Sequence, residues 1–545
     1  MTAQGTKPEM VNLTVDGKAI TVPKGTNLID AAKAAGVDVP YYCYHPHLSV
    51  AGNCRMCQVQ VKGAPTLDIG CNTQVKEGME VLTQPPSKAV ADAQAATLEF
   101  ILINHPLDCT VCDQAGHCKL QDYHYEYNAR PSRFLEQKEH KVKAEPLGPK
   151  VILDGERCIM CTRCIRFCDE VTKTSELGML NRGDRSVIAI NPGRELNNPL
   201  SGTVVDLCPV GALTHRDWRF NTRIWFTKQS DGICPGCSTG CNVKVAVRDG
   251  EVVQVKARLN SAVNKEWLCD EGRYGFHRFL PTQRVTAPTV HGKTVATIDE
   301  ALRDVGKLRS APTVVFVGPD LLLEEYALIK AFLTKHVKSV EVVVGYRERK
   351  LNDVEKVLVS PDYAANVFGA QYGGLVTGNL ESKYDEALLK LKANGFPNVL
   401  IFGDRGILAN DVDDKVIAAV RGAQFSVASI ADGAAPLAAA AHVVLPARSI
   451  LETSGLMVNR AGRLQYTNAF LDFPNGTEPQ WRMVNRLAAA LGGKVTEAKT
   501  DRDLTIGYLA LDSRLQGLTI GAIKSCGVDL NTYEPSRAGQ AAMGV

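Results

Sequence analysis

The sequence predicts a multidomain α+β protein whose middle is organised by bound metal more than by a large apolar core. Three observations lead there. The chain has 545 residues, more than a single hydrophobic core usually serves. Sixteen of its 17 cysteines lie between Cys43 and Cys269, and the rest of the chain holds only Cys526. Near residue 285 the pattern changes, from closely spaced cysteines to β-branched runs alternating with helix-like stretches.

The elements follow in order. Residues 10–80 read as a small β-rich domain: 11–15 and 19–22 alternate about a turn at Asp16-Gly17, which is a hairpin signal. Residues 27–35 read as a short helix ending at Gly36. Residues 87–104 read as a helix with Val90, Leu98, Ile101 and Leu102 on one face, delivering His105 at its end. Residues 109–220 are rich in cysteine, charge and aromatics and show little periodicity, so bound clusters are expected to hold them. Residues 224–227 read as a strand, and 242–255 as a hairpin about Asp249-Gly250. Beyond 285, the runs 313–317 and 398–402 read as strands, with helices expected at 323–333 and 412–419 and a mostly parallel sheet between them. The division expected is 1–84, 85–125, 126–222, 223–284 and 285–533, with a flexible Gly/Ala-rich tail at 534–545.

Charge and hydropathy narrow the function. Lys+Arg is 62 against Asp+Glu 59, which argues for neither nucleic acid nor an acidic substrate. Mean hydropathy is −0.09, and no stretch approaches the ~20 apolar residues that cross a bilayer. The first five residues show no apolar signal core. The expectation is a cytoplasmic protein, held at a membrane only through a partner. An odd cysteine count without an export signal argues against a disulfide framework, and spacings of two or three residues argue for soft-metal ligation.

Four ligand sets can be read from spacing. The first is Cys43, Cys54, Cys57 and Cys71, a close pair between two long gaps, with Gly52 and Gly63 flanking for close backbone approach. This order resembles [2Fe–2S] ferredoxins, although the spacing differs from the usual plant-type one. The second is His105, Cys109, Cys112 and Cys118: three cysteines are one short of a [4Fe–4S] set, and a neutral imidazole can supply the fourth ligand. A neutral ligand makes the cluster less negative and raises its potential. His117 is the local rival.

The third set begins with Cys158, Cys161 and Cys164 and needs a remote ligand. Cys208, followed by Pro209, suits that role, and Cys168 is its rival. Arg157, Arg163 and Arg166 surround this set in sequence and can offset its negative charge or form a solvated face. The fourth set is Cys234, Cys237, Cys241 and Cys269, with Gly236 and Gly240 in its loop; zinc is the competing occupant. Four clusters need sixteen ligands, and fifteen cysteines with His105 supply them, leaving Cys168 and Cys526 as small apolar residues.

These motifs resemble the large peripheral iron–sulfur subunits of NADH–quinone oxidoreductase, respiratory complex I, over roughly the first 280 residues. The resemblance implies a ferredoxin-like β-grasp domain carrying one [2Fe–2S] cluster on the Cys43 set. It implies three [4Fe–4S] clusters, on the His105, Cys158 and Cys234 sets, the last off the main electron path. The second half is similar to molybdopterin oxidoreductases at His442 to Pro446 and in the segment ETSGLMVNRAGRLQ, which ends at Gln465. It is about half the size of a full catalytic unit and has no cysteine from 270 to 525, so a remnant without molybdenum is expected.

No G-x-G-x-x-G follows a strand and no nucleophilic constellation stands out, so the chain is not expected to bind NADH itself, and the resemblance implies that it is not the quinone-binding subunit either. The resemblance implies a relay within a proton-translocating oxidoreductase, from the FMN of an NADH-binding partner toward quinone. Its implied partners are that NADH-binding protein, a thioredoxin-like [2Fe–2S] subunit, downstream [4Fe–4S] and quinone-module subunits and, indirectly, a membrane arm. The implied location is the cytoplasmic face of the plasma membrane. The alternative is the iron–sulfur subunit of a soluble NAD-linked formate dehydrogenase or hydrogenase. A zinc-stabilised scaffold is a further rival.

Overall fold

A computed structural model describes residues 9–128, 130–346, 348–378, 380, 386, 396–403 and 414–535. The first eight residues, the start of the helix expected from 412 and nearly all of the expected tail lie outside them. The chain divides into two compact units, Met1–Thr227 and Lys228–Val545.

The first unit opens with the hairpin Met10–Val15 and Lys18–Pro23, turned at Asp16 and Gly17, both with positive φ. Strand Met79–Leu82 joins Met10–Val15 in parallel, and Gln58–Val61 and Asp68–Ile69 complete a five-stranded sheet. Val11, Leu13, Val15, Val59 and Val81 turn one face onto helix Leu28–Ala34, which Asn27 caps by accepting from the Asp30 amide at 3.0 Å. Helix Lys88–Leu102 is capped by Ser87. The remainder is built from short pieces: a three-stranded sheet of Glu145–Pro146, Val151–Leu153 and Leu213–His215, the hairpin Leu177–Leu180 with Val187–Ile190, and helices of four and five residues at Arg163–Arg166 and Thr203–Leu207.

The second unit contains a three-stranded antiparallel sheet, Lys228–Ile233, Asn242–Arg248 and Glu251–Ala257. Its centre is a seven-stranded sheet in which Val340–Val344, Thr313–Val317, Asn398–Phe402, Phe425–Ile430 and Val443–Pro446 run parallel in that spatial order. The parallel strands are apolar on both faces. Val315, Val317, Leu400 and Phe402 face one core, and Val314, Phe316, Val399 and Ile401 the other, as a sheet covered on both sides requires. Helix Leu323–His336 runs three residues past its expected end, and the helix expected at 412–419 is Asp414–Gly422.

The strand expected at 224–227 is instead a 3₁₀ turn, Ile224–Phe226, and the strand begins at Lys228. The reason lies in packing against Gly116. A Cβ there would come within 2.8 Å of the Trp225 ring and 3.0 Å of Ile224, so the apolar run wraps the Cys112–Cys118 loop and does not enter a sheet.

Candidate metal centres

The first set is held by the five-stranded sheet and the loop above it. Cys43, Cys57 and Cys71 are buried and Cys54 is half-buried. The Cys43 amide approaches Cys54 Sγ at 3.4 Å, and the Cys43 thiol is in contact with those of Cys54 and Cys71, as Cys57 is with Cys71. These contacts with its neighbours hold the Cys43 thiol well below the usual thiol range. Arg55 and Gly52 have positive φ, which folds the loop back tightly. Gly63 turns outward into open space, so it does not serve close approach. Gly70 does: a Cβ there would lie 3.3 Å from the Cys57 carbonyl, which its own amide meets at 2.8 Å.

The second set sits between two helices. His105 follows helix Lys88–Leu102, and its amide closes on the Leu102 carbonyl at 3.2 Å. Burial, with Lys138 and Arg157 nearby, lowers its pKa to about 4, so the ring is neutral at physiological pH. Its Nδ1 is buried without a hydrogen-bond partner, the state of a nitrogen available to a metal. Cys112 and Cys118 are buried, and Cys109 is exposed. Cys118 stands at the N-cap of helix Lys119–Tyr127, and burial raises its thiol to about 11. Arg223 clamps this loop by donating to the carbonyls of Cys112, at 2.6 Å, and Thr110.

The third set comes together around one small apolar cavity. Cys158, Cys161, Cys164 and Cys208 all line it, with Leu153, Ile188 and Leu213. Met160 and Thr162 adopt positive φ between the cysteines. Burial raises the Cys158 and Cys208 thiols to about 11 and about 12. Cys168 is not among the lining residues. It is fully buried one turn further on, and its carbonyl accepts from the amides of Thr174 and Ser175.

The three arginines divide their work differently from what their sequence positions suggest. Arg163 donates to the carbonyls of Leu207, at 3.2 Å, and Tyr44. Arg166 donates to the carbonyls of Cys43, at 2.6 Å, Cys161, at 3.2 Å, and Ser49. Both therefore staple the loop of the first set to that of the third, and Asn53 adds a bond to the Met160 carbonyl at 3.0 Å. Arg157 turns instead toward Asp108 beside the second set. The third and second sets also share a wall: Cys118 Sγ lies 4.0 Å from the Pro209 carbonyl, and a Cβ on Gly211 would collide with Cys112 Sγ.

The fourth set lines a cavity in the second unit. Cys234, Cys237, Cys241 and Cys269 surround it, with Glu271, Arg278, Arg349 and Tyr363. The Cys234 amide bonds to the Cys241 carbonyl at 2.8 Å, closing the loop, and Cys269 Sγ accepts from the Gly272 amide at 3.3 Å. A Cβ on Gly272 would stand 3.0 Å from Cys234 Sγ. The segment 452–465 grips this loop: Asn459 donates to Thr239, the Arg460 amide to Ser238 and Gln465 to Gly240. That supporting role carries no spacing signal in the sequence.

Among the described residues, no three His, Cys, Asp or Glu side chains converge tightly enough to ligate one metal ion. An iron–sulfur cluster asks for something else: ligands spaced around a bridged core, buried, with backbone amides and glycines close to sulfur. The buried thiols, the close glycines and the unpartnered His105 nitrogen fit that requirement. Cys526 is exposed and far in sequence from all four sets.

Five family profiles match the chain in tandem. They are the 2Fe-2S iron–sulfur cluster binding domain at 8–86, the NADH-ubiquinone oxidoreductase-G iron–sulfur binding region at 94–133 and the ferredoxin-like domain of NADH-quinone oxidoreductase subunit 3 at 148–214. The molybdopterin oxidoreductase Fe4S4 domain follows at 227–279, and molybdopterin oxidoreductase at 303–490. The NADH-quinone oxidoreductase G subunit of Rickettsia bellii is 34% identical over 378 residues, 68% of this chain and 54% of that protein. The NADH-ubiquinone oxidoreductase 75 kDa subunit of Reclinomonas americana is 36% identical over 369 residues, 66% of this chain and 53% of that protein. A solved chain of an NAD+-reducing [NiFe]-hydrogenase is 28% identical, with a TM-score of 0.36, covering 39% of this chain and 91% of that one. The chain thus spans about half the length of the curated relatives it matches. In sequence, and through its successive iron–sulfur domain profiles, the chain is similar to the NADH-quinone oxidoreductase G subunits and their 75 kDa counterparts.

Proposed function

We propose that the chain is the iron–sulfur relay subunit of a proton-translocating NADH–quinone oxidoreductase. It holds one [2Fe–2S] cluster on Cys43, Cys54, Cys57 and Cys71. It holds three [4Fe–4S] clusters, on His105, Cys109, Cys112 and Cys118, on Cys158, Cys161, Cys164 and Cys208, and on Cys234, Cys237, Cys241 and Cys269. When bound, the clusters supply one-electron carriers; the chain's own residues hold them, exclude water and set the charge around them.

One observation carries this reading: the ligand loops of three sets share walls. Arg163 and Arg166 tie the first to the third, and Pro209 and Gly211 stand between the third and the second. That order supports a series running from the Cys43 set through the Cys158 set to the His105 set. Burial of most of the cysteines keeps water from their sulfur, with Cys109 exposed and Cys54, Cys158 and Cys237 half-buried, and fixed guanidinium charge offsets the negative charge of thiolates. The Cys234 set belongs to the other unit and is assigned outside the series.

The partners follow from this reading: an FMN- and NADH-binding subunit with a thioredoxin-like [2Fe–2S] subunit upstream, [4Fe–4S] and quinone-module subunits downstream, and a membrane arm reached through them. No described helix is long and apolar enough to cross a membrane, which accords with a peripheral place on the cytoplasmic face of the plasma membrane. Affinity isolation of the native complex with identification of its subunits tests the assignment. Antiporter-like membrane subunits are expected; a nickel or molybdenum catalytic subunit in their place rejects it.

A further inference from the structure

Arg157 immediately precedes Cys158, yet its guanidinium belongs to the surroundings of another set. The side chain is only 5% exposed. Its Nη2 lies 3.0 Å from Asp108 Oδ2 and its Nε 3.3 Å from Asp154 Oδ2. Asp108 adjoins Cys109 in sequence. Lys143 shares both carboxylates, at 2.6 Å and 3.7 Å, so the acceptors around Arg157 are already divided between two cations.

The third nitrogen, Nη1, is buried and has no hydrogen-bond partner. A guanidinium N–H is a donor only, and leaving one buried without an acceptor is costly, so such a group in a native fold calls for an acceptor. Beyond its two carboxylates, the electrostatic neighbours of Arg157 include Cys112 and His105 of the second set and Asp113 beside Cys112.

We infer that Arg157 is a positioning residue for the His105, Cys109, Cys112 and Cys118 centre, its Nη1–H donating to a sulfur of that centre and its fixed charge raising the centre's reduction potential. This rests on the assignment of a cluster to that set. Reduction adds one electron and makes or breaks no bond, and the guanidinium stays protonated throughout. Both the neutral imidazole and the guanidinium favour the reduced, more negative state, so ligand and neighbour act in the same direction. The residue that sequence assigns to the third centre thereby tunes the second, and separates the potentials of two centres that share a wall.

The test is redox titration of the intact complex, followed by EPR, for the unsubstituted protein, Arg157→Gln and Arg157→Lys. In Arg157→Gln the His105-set signal is expected to persist with its reduction equilibrium lowered about tenfold, which is about 59 mV for a one-electron couple. The Cys158-set midpoint should move by much less. In Arg157→Lys, which keeps the charge without the planar fork, the midpoint should fall between the other two. An unchanged His105-set midpoint in Arg157→Gln overturns the inference, as does an equal fall at the Cys158 set. If Arg157→Gln loses the signal altogether, Arg157→Lys decides, with a lowered midpoint supporting the inference and an unchanged one rejecting it. Nitrogen coupling from imidazole in pulsed EPR of the unsubstituted complex separates the two levels of argument. Its absence overturns the cluster assignment and this inference together, whereas its presence with an unmoved midpoint overturns the inference alone.

Discussion

Buried arginines in the first unit and buried glutamates in the second show two different ways of burying charge. In the first, Arg157 and Arg163 beside the cysteines are 4% and 6% exposed, and the buried Asp154 pairs with Arg157. In the second, the helix that follows strand Thr313–Val317 begins with two buried glutamates, Glu324 and Glu325, at 1% and 2%. A guanidinium cannot lose its proton in a protein, so a buried arginine is a permanent charge and needs permanent acceptors. Here these are carbonyls and carboxylates of the ligand loops, with thiolate sulfur close by. A carboxyl can become neutral, and burial raises Glu324 to about 7 and Glu325 to about 8. Each still works: Glu324 accepts from the Leu456 amide and the Thr505 hydroxyl, and Glu325 from the amides of Leu322 and Trp481. The arginines keep their charge at any working pH, whereas these two glutamates can discharge theirs.

The sharpest way to break this comparison is to remove iron. Stripping it from the isolated complex should abolish hydrogen-exchange protection across residues 105–215, whose helices are too short to stand alone, while the strands between 313 and 446 stay protected. Equal loss in both regions would show that the two are not built differently.

Single cysteines come next. Cys208→Ala should cost one [4Fe–4S] complement in iron and acid-labile sulfide analysis, and Cys168→Ala none, because only Cys208 lines the shared cavity. In the α/β half, Leu400→Ala should destabilise the fold by about 2–5 kcal/mol in denaturant unfolding, since it empties a packed position, and should leave the iron content unchanged.

The smallest effect is on pH dependence. Glu324 and Glu325 hold protons in the folded state that the unfolded chain, with carboxyl pKa values near 4.3, has already released. The folded state therefore binds more protons, and stability falls as pH rises from about 4.5 to about 8, then levels off. We expect the thermal midpoint of the second unit to fall across that window. Glu325→Gln should flatten the slope, whereas the buried arginines of the first unit should add none, because they do not titrate there.

Much of this is legible in the sequence, for identifiable reasons. Cysteine spacing is local, and a loop that must present several sulfurs to one core writes that demand into a few residues, as Cys158 to Cys164 and Cys234 to Cys241 do. The parallel strands are legible as well, since a sheet covered on both faces needs continuous β-branched runs such as Thr313 to Val317. Neighbourhood is not. Nothing in the order of residues says that Arg157 leaves its own loop for Asp108, or that Arg166 reaches back to Cys43. Those contacts span 49 and 123 positions. Residues 224–227 mislead because an apolar β-branched and aromatic run carries no mark of its partner, and here the partner is a glycine loop. Gly70 escapes notice while Gly63 does not, because the two look alike until the backbone of Cys57 is seen beside one of them.

The arginine staples also bear on how far this chain can be taken apart and reused. A ferredoxin domain is commonly treated as a cassette that can be cut out and grafted elsewhere. In this chain the carbonyls of Cys43, Tyr44 and Ser49 are acceptors for arginines that lie more than a hundred residues downstream. Lifted out alone, residues 9–86 would expose those carbonyls to water on the edge of their own metal loop, and Arg163 and Arg166 would lose these acceptors. The smallest transplantable piece is therefore the whole unit up to Thr227, and a chimera joined inside it should be judged by whether it carries both ends of those bonds.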